Sequence, residues 1–241
     1  MQASSHHAAP RLDASRPIGS QLFAMLRGRI VRGEIAPGMR LSEAGIAAEF
    51  QISRQPVREA FIKLSEEGLL EVRPQRGTVV PKISVAMVED ARFVREAVEA
   101  DVVRLAAERF DGAQKSRLES LLDEQHRTED VRAFIDLDDR FHRMLADGVG
   151  RAHAWHVIEA LKAQLDRVRY LSVAQFPRAA ILSQHAEVTD AIRRADPAAA
   201  EAAMRRHLQL INADLPAVAR AHADYFEDAP DGASFQTPKG G

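Results

Sequence analysis

Between Ile18 and Leu64 the apolar residues return every three or four positions, the spacing of one face of an α-helix. Ile18, Leu22, Met25, Leu26 and Ile30 predict a first helix over about residues 18–33, stopped by Gly33. The segment APGMRL is a turn punctuated by Pro37-Gly38. Ser42 is placed to cap a second helix with Ile46, Ala47 and Phe50 inward. A short turn at Gln51-Ile52 leads to Ser53, the expected cap of a third helix, and Pro56 suits its first turn. Val57, Ala60, Phe61 and Leu64 form the buried stripe of that helix, and Gly68 ends it. The run LLEVRPQRGTVVPKI then reads as two short strands around a Pro/Gly turn.

From residue 87 the helical period takes over without a strand signal. Six helices are expected, over roughly 87–110, 113–127, 130–147, 151–173, 178–195 and 197–223. Residues 83–86 link the two parts. Residues 1–16 and 226–241 are polar, small and without period, so both are expected to be disordered tails. The fold class is therefore mainly α. A winged helix-turn-helix over 17–82 is followed by an all-α bundle over 87–223, long enough for its own core.

Composition sharpens this in two ways. The absence of cysteine removes disulfides and thiolate metal sites. The net charge of −2 divides unevenly: residues 1–82 carry 12 basic and 8 acidic side chains, +4, and the remainder carries 21 and 27, −6. The basic part is suited to phosphate. No apolar segment at the start resembles a signal peptide, and none approaches the ~20 residues that span a bilayer. A soluble, cytoplasmic chain with no membrane partner is expected.

Two arginines in ISRQPVREAF then acquire a purpose. The buried stripe of the third helix turns Gln55, Arg58 and Glu59 outward, and Arg54 projects from its N-terminal end. That end also directs backbone N–H groups at any phosphate. Arginine either pairs with guanine through two hydrogen bonds or holds phosphate, and the sequence does not choose. A solvated helix face is the plainer reading of the two arginines alone. The wing, with Arg73, Arg76 and Gly77 at its tip, and the local positive charge favour DNA.

A second constellation sits in the acidic part. Asp138 and His142 share a helix face, beside Phe141 and Leu145. His185 lies 196 − 185 = 11 residues before the Asp196-Pro197 reversal, and His207 lies 207 − 196 = 11 after it. In an antiparallel hairpin both stand ~16 Å from the turn. One carboxylate and three imidazoles suit one divalent ion (Zn, Ni, Mn or Fe). Arg95 and Glu99, one turn apart, are either an exposed ion pair or a clamp on a carboxylate ligand. An Asp/His cluster in a bundle also suits a metal-dependent hydrolase, or a metal that only stabilises the fold.

Together these residues resemble the GntR family of bacterial transcription regulators, in the class with a FadR-type C-terminal (FCD) domain. The resemblance spans about residues 18–220. It rests on PGMRLSE, ISRQPVREAF, LSEEGLL and RGTVV, then on VREAVEADVVRLAA, DLDDRFHRML, QHAEVTDAI and DPAAAEAAMRRHL. It implies a homodimeric, ligand-responsive regulator that binds double-stranded operator DNA and is not an enzyme. The implied DNA contacts are Ser53, Arg54, Gln55 and Arg58, with Arg76 and Gly77 in the wing. The implied metal ligands are Asp138, His142, His185 and His207, and Arg95, with Glu99 beside it, would meet a small organic acid effector. Six bundle helices resemble the VanR-type subgroup. The chain departs from the family's pattern at Ala44, where many members have arginine, at Gly45, and at Gly150-Arg151, where Gly-Asn is frequent.

Overall fold

A computed structural model describes residues 12–75 and 77–227. Two compact units meet between Lys82 and Ile83.

The first unit runs α1 (Ile18–Val31), β1 (Arg40–Leu41), α2 (Glu43–Phe50), α3 (Arg54–Glu66), β2 (Glu71–Arg73) and β3 (Gly77–Val79). The strands form an antiparallel sheet in the order β1-β3-β2, with Arg40 opposite Val79 and Val72 opposite Thr78. Strand β1 was not expected, because two residues are too short to display a period. It is positioned by Gly38, whose φ of 81° lets its N–H reach Val80 O at 2.8 Å. The stripe of α3 closes on α1: Val57, Ala60 and Leu64 are buried with Leu22, Leu26 and Ile30. The Ser42 hydroxyl accepts from Gly45 N at 2.9 Å and caps α2. Ser53 occupies the cap position of α3, but its hydroxyl makes no capping hydrogen bond, contrary to expectation.

The second unit holds α4 (Val85–Arg109), α5 (Gly112–Arg127), α6 (Val131–Gly148), α7 (Ala152–Leu161), α8 (Ala163–Gln175), α9 (Ala179–Arg193) and α10 (Pro197–Ala221), then a 3-10 turn over Ala223–Tyr225. Among the described residues seven α-helices thus stand where six were expected, since the helix predicted over 151–173 breaks at Lys162. The residue adopts φ −83° and ψ 4°, away from α-helical values, while its side chain turns into the protein. The helix count therefore gives no support to the six-helix subgroup. The main core gathers Val103, Leu118, Phe141, Leu145, Trp155, Val188, Ile192 and Met204.

Both expected tails are shorter than predicted. Residues 12–16 fold against the start of α1, where the Gln21 amide donates to Asp13 O (2.7 Å) and Arg16 O (3.1 Å). At the other end Phe226 is fully buried and pairs with Ile83, which donates to Tyr225 O at 2.7 Å and accepts from Glu227 N at 3.0 Å. Ile83 belongs to the expected linker, yet it packs with Val88, Leu165, Val168 and Leu215 in a second core. The Gln21 hydrogen bonds hold the first of these segments, and the burial of Ile83 with Phe226 holds the second. The rest of the expected tails, residues 1–11 and 228–241, lies outside the described residues, as does Arg76.

Candidate functional site

Helix α6 is amphipathic, and Phe134, Leu137, Phe141 and Leu145 bury one face of it. Asp138 and His142 lie within that buried stripe, so packing carries both into the bundle. Helices α9 and α10 form the expected hairpin. Asp196 accepts from Ala199 N at 3.0 Å, Pro197 opens α10, and Ala195 takes a left-handed φ of 54° in the reversal. His185 and His207 consequently face each other, with their Nε2 atoms 3.2 Å apart.

His142 completes a triangle of imidazoles, its Nε2 lying 3.2 Å from His207 Nε2. Asp138 closes the group: Oδ2 is 3.8 Å from His142 Nε2 and Oδ1 is 3.6 Å from His185 Nε2. All four residues are buried, and one donor atom from each lies within 4.8 Å of the others. The far side of every ring meets an acceptor. His185 Nδ1 is 2.8 Å from Gln125 Oε1, His207 Nδ1 is 3.2 Å from Gln184 Oε1, and His142 Nδ1 is 2.5 Å from Glu99 Oε2. A proton on Nδ1 of each ring suits these neighbours, although the His142–Glu99 contact lacks hydrogen-bond geometry, and it leaves the three Nε2 lone pairs directed at one point. Burial pushes His185 down to about 3 and lowers His207 well below the ordinary range, so both rings are neutral near pH 7. Converging lone pairs repel unless a cation lies between them. A tetrahedral ion with ~2.0–2.1 Å bonds sets its ligands roughly 3.3 Å apart, close to the observed separations.

The carboxylate of Asp138 is held from behind. Burial alone would raise its affinity for a proton, but Arg169 beside it and the neighbouring imidazoles hold it below the usual range. Arg169 pairs with Asp138 Oδ2 and also reaches Asp139 Oδ1 (3.1 Å) and Asp166 Oδ1 (3.2 Å). Lys162, buried at the break between α7 and α8, joins the same two carboxylates at 2.9 and 2.8 Å. Sequence reasoning missed this network. Its signal was Lys162, Asp166 and Arg169 on one face of a helix that also buries Leu165 and Val168. Gln125 was missed as well, although it continues the buried stripe of Leu118 and Leu121.

Arg95 is only 4% exposed. Its Nε donates to Glu99 Oε1 at 2.6 Å, while its Nη2 is buried without a hydrogen-bond partner. It lines a cavity of about 50 Å³ together with Asp138, His207, Arg169 and the apolar side chains Phe134, Leu165 and Ile211. That volume holds roughly four waters. Glu99 is not on the cavity wall. It sits between Arg95 and His142; burial pushes its carboxyl up, but the Arg95 guanidinium and the His142 contact outweigh this and hold it down to about 2.

In the first unit Ser53, Arg54, Gln55 and Arg58 are all exposed along the leading turns of α3. The Arg54 side chain is 70% exposed and 3.7 Å from Glu43, and the Gln55 amide donates to Glu59 at 3.1 Å. Because the Ser53 hydroxyl leaves the first N–H groups of α3 uncapped, they are open to an anion. Gly77, at φ 76°, opens β3 beside the wing turn.

A three-helix unit with a β-wing, followed by an all-α bundle with a largely apolar cavity that Arg95, Asp138 and His207 reach, defines a DNA-binding regulator with a separate sensing domain. Residues 18–80 match the family described as bacterial regulatory proteins, gntR family, and residues 90–210 match the FCD domain. The chain belongs to the GntR family. It is 40% identical to the HTH-type transcriptional repressor RspR of Escherichia coli (strain K12) over 222 residues, covering 90% of this chain and 97% of that protein. It is 30% identical to the HTH-type transcriptional repressor NanR of Cronobacter sakazakii over 238 residues, 87% of this chain and 88% of the other. The structure of E. coli McbR/YncC has the same fold, with a TM-score of 0.71 at 18% identity, covering 85% and 98% of the two chains. RspR and NanR are named as transcriptional repressors, and the two family matches are those of a transcription regulator rather than an enzyme. Among the described residues no helix is long and apolar enough to cross a membrane.

Proposed function

We propose that this regulator binds operator DNA as a homodimer in the cytoplasm and responds to a small carboxylate. The acid is held between Arg95 and one divalent transition metal (Zn, Ni, Mn or Fe) on Asp138, His142, His185 and His207. One observation carries the proposal: a buried guanidinium nitrogen of Arg95 stands without a partner on the wall of a cavity that also exposes Asp138 and His207. An unpaired buried donor of this kind is costly, and a carboxylate satisfies it with charge-assisted hydrogen bonds. When bound, the metal supplies Lewis-acid affinity for an anionic oxygen. The protein residues orient it: Glu99, Gln125 and Gln184 fix the ring tautomers, Arg169 holds Asp138, and the apolar wall excludes water. On the DNA side, Ser53, Arg54, Gln55 and Arg58 read the operator, with Arg76 and Gly77 in the wing.

A second reading is supported by the donor count. Four protein ligands complete a tetrahedral ion and leave two positions on a six-coordinate one. A zinc-loaded protein would then hold a purely structural metal. Operator affinity, titrated with candidate acids in metal-loaded protein, separates the readings. Arg95→Lys keeps the charge but loses the forked donor pair. It should bind operator normally without acid and respond to acid at least about tenfold more weakly. A normal acid response in this variant would move the effector elsewhere.

A further inference from the structure

Away from the metal ligands, the same cavity ends in two oxygens of an unusual kind. Asp214 on α10 and Ser172 on α8 both line it. The Ser172 hydroxyl, on a residue only 4% exposed, donates to Asp214 Oδ2 at 2.5 Å. Its single proton is thereby committed, so its remaining capacity is to accept. Asp214 is half-buried, and no cation among the described residues pairs with it. Arg92, also on the wall, gives Nη1 to Glu96 at 2.6 Å, while its Nε is buried without a hydrogen-bond partner. An ionised carboxylate offers acceptors only. The cavity wall therefore offers unpaired donors at Arg95 and Arg92, and at Asp214 and Ser172 oxygens that, beyond the bond they share, can only accept.

We propose that the effector is a bifunctional acid. Its carboxylate meets Arg95, and a hydroxyl or ammonium at its other end donates to Asp214 and Ser172. This rests on the carboxylate reading above. Asp214 lies seven residues beyond His207, about 10 Å along α10, so it stands at the end of the cavity away from the metal ligands. A plain alkanoate reaching that end would leave Asp214 desolvated and unmatched. A dicarboxylate would bring a like charge against it. A ligand carrying a donor satisfies both ends, and this is the situation in which a site discriminates strongly against an analogue lacking one group.

The test is a matched panel bound to full-length, metal-loaded protein: butanoate, 4-hydroxybutanoate, 4-aminobutanoate, pentanoate, 5-aminopentanoate and glutarate. Calorimetric titration should show at least one donor-bearing acid binding about tenfold or more tighter than the alkanoate of equal length, with glutarate weakest. Asp214→Leu should erase that advantage, weakening the donor-bearing acids and tightening the alkanoates. Asp214→Asn should keep the advantage of a hydroxyl and lose that of an ammonium, which tells the two donors apart. Unchanged operator binding without acid confirms that both variants fold. Alkanoates matching their substituted partners in the wild type, or a donor advantage that survives Asp214→Leu, would overturn the proposal. If the wild type binds none of the six acids, the carboxylate reading itself falls and takes this inference with it.

Discussion

Arg169 touches three carboxylates and, through Asp138, the candidate metal ligands. A buried cation of this kind contributes little net stability, because its desolvation offsets most of the Coulomb attraction. Its specific effect is to keep Asp138 ionised and oriented. Arg169→Gln should therefore weaken metal binding by ~10–100-fold, as removal of an orienting partner commonly does. Arg169→Lys should restore part of that affinity by keeping the charge. Competition with a chromogenic chelator reads this independently of any DNA response. If metal affinity stays normal and only the melting temperature falls, Arg169 serves the fold alone. Glu99 stands in a similar position behind His142, which is why its role is better described as orientation than as effector contact.

At the scale of elements, helix α3 carries four of the residues proposed to read DNA or flank it, Ser53 at its cap and Arg54, Gln55 and Arg58 in its first turns. Its buried stripe was legible because Val57, Ala60, Phe61 and Leu64 follow the 3.6-residue period without interruption. Removing Arg58 should leave α3 and its packing intact, since the side chain is exposed. Arg58→Ala should cost roughly 1–3 kcal/mol of operator affinity and relax specificity at one position if it meets a base, or weaken all sequences alike if it meets phosphate. Equal affinity of mutant and wild type in a gel-shift titration at fixed salt would remove Arg58 from the interface. The His185–His207 pairing was equally legible, because the Asp196-Pro197 reversal sets both residues at one depth. Other features were not. Two-residue β1 carries no period, and the break at Lys162 follows from a buried charge network whose partner Asp139 lies on another helix. Gly45 looked like a weakness in α2. A Cβ there would sit 2.8 Å from the Ser42 hydroxyl, so its absence makes room for the helix cap.

At the scale of the whole molecule, the charge pattern divides a basic part from an acidic part, and the two family matches, over residues 18–80 and 90–210, fall one on each side of that division. Sequence reasoning misplaced the edges of the second unit, because Ile83 and Phe226 lie in polar surroundings and bury together only when the chain is folded. This clasp ties the residue that follows the first unit to the core containing Leu165, on the helix that also carries Arg169 and Ser172 into the cavity. Any response to an acid must be reciprocal, so that operator binding changes acid affinity by the same factor as acid changes operator affinity.

The claim on which the sensing account depends is the metal centre, and elemental analysis tests it most directly. Wild-type protein loaded with each of Zn, Ni, Mn and Fe and then desalted should retain one equivalent per chain of at least one of them. The doubly substituted His185→Ala, His207→Ala protein should retain almost none while still binding DNA through the intact first unit. Bound metal should also raise the melting temperature of the wild type and not that of the variant, since only the folded site binds it. A wild type that retains no metal, or a variant that retains as much as the wild type, would contradict the account.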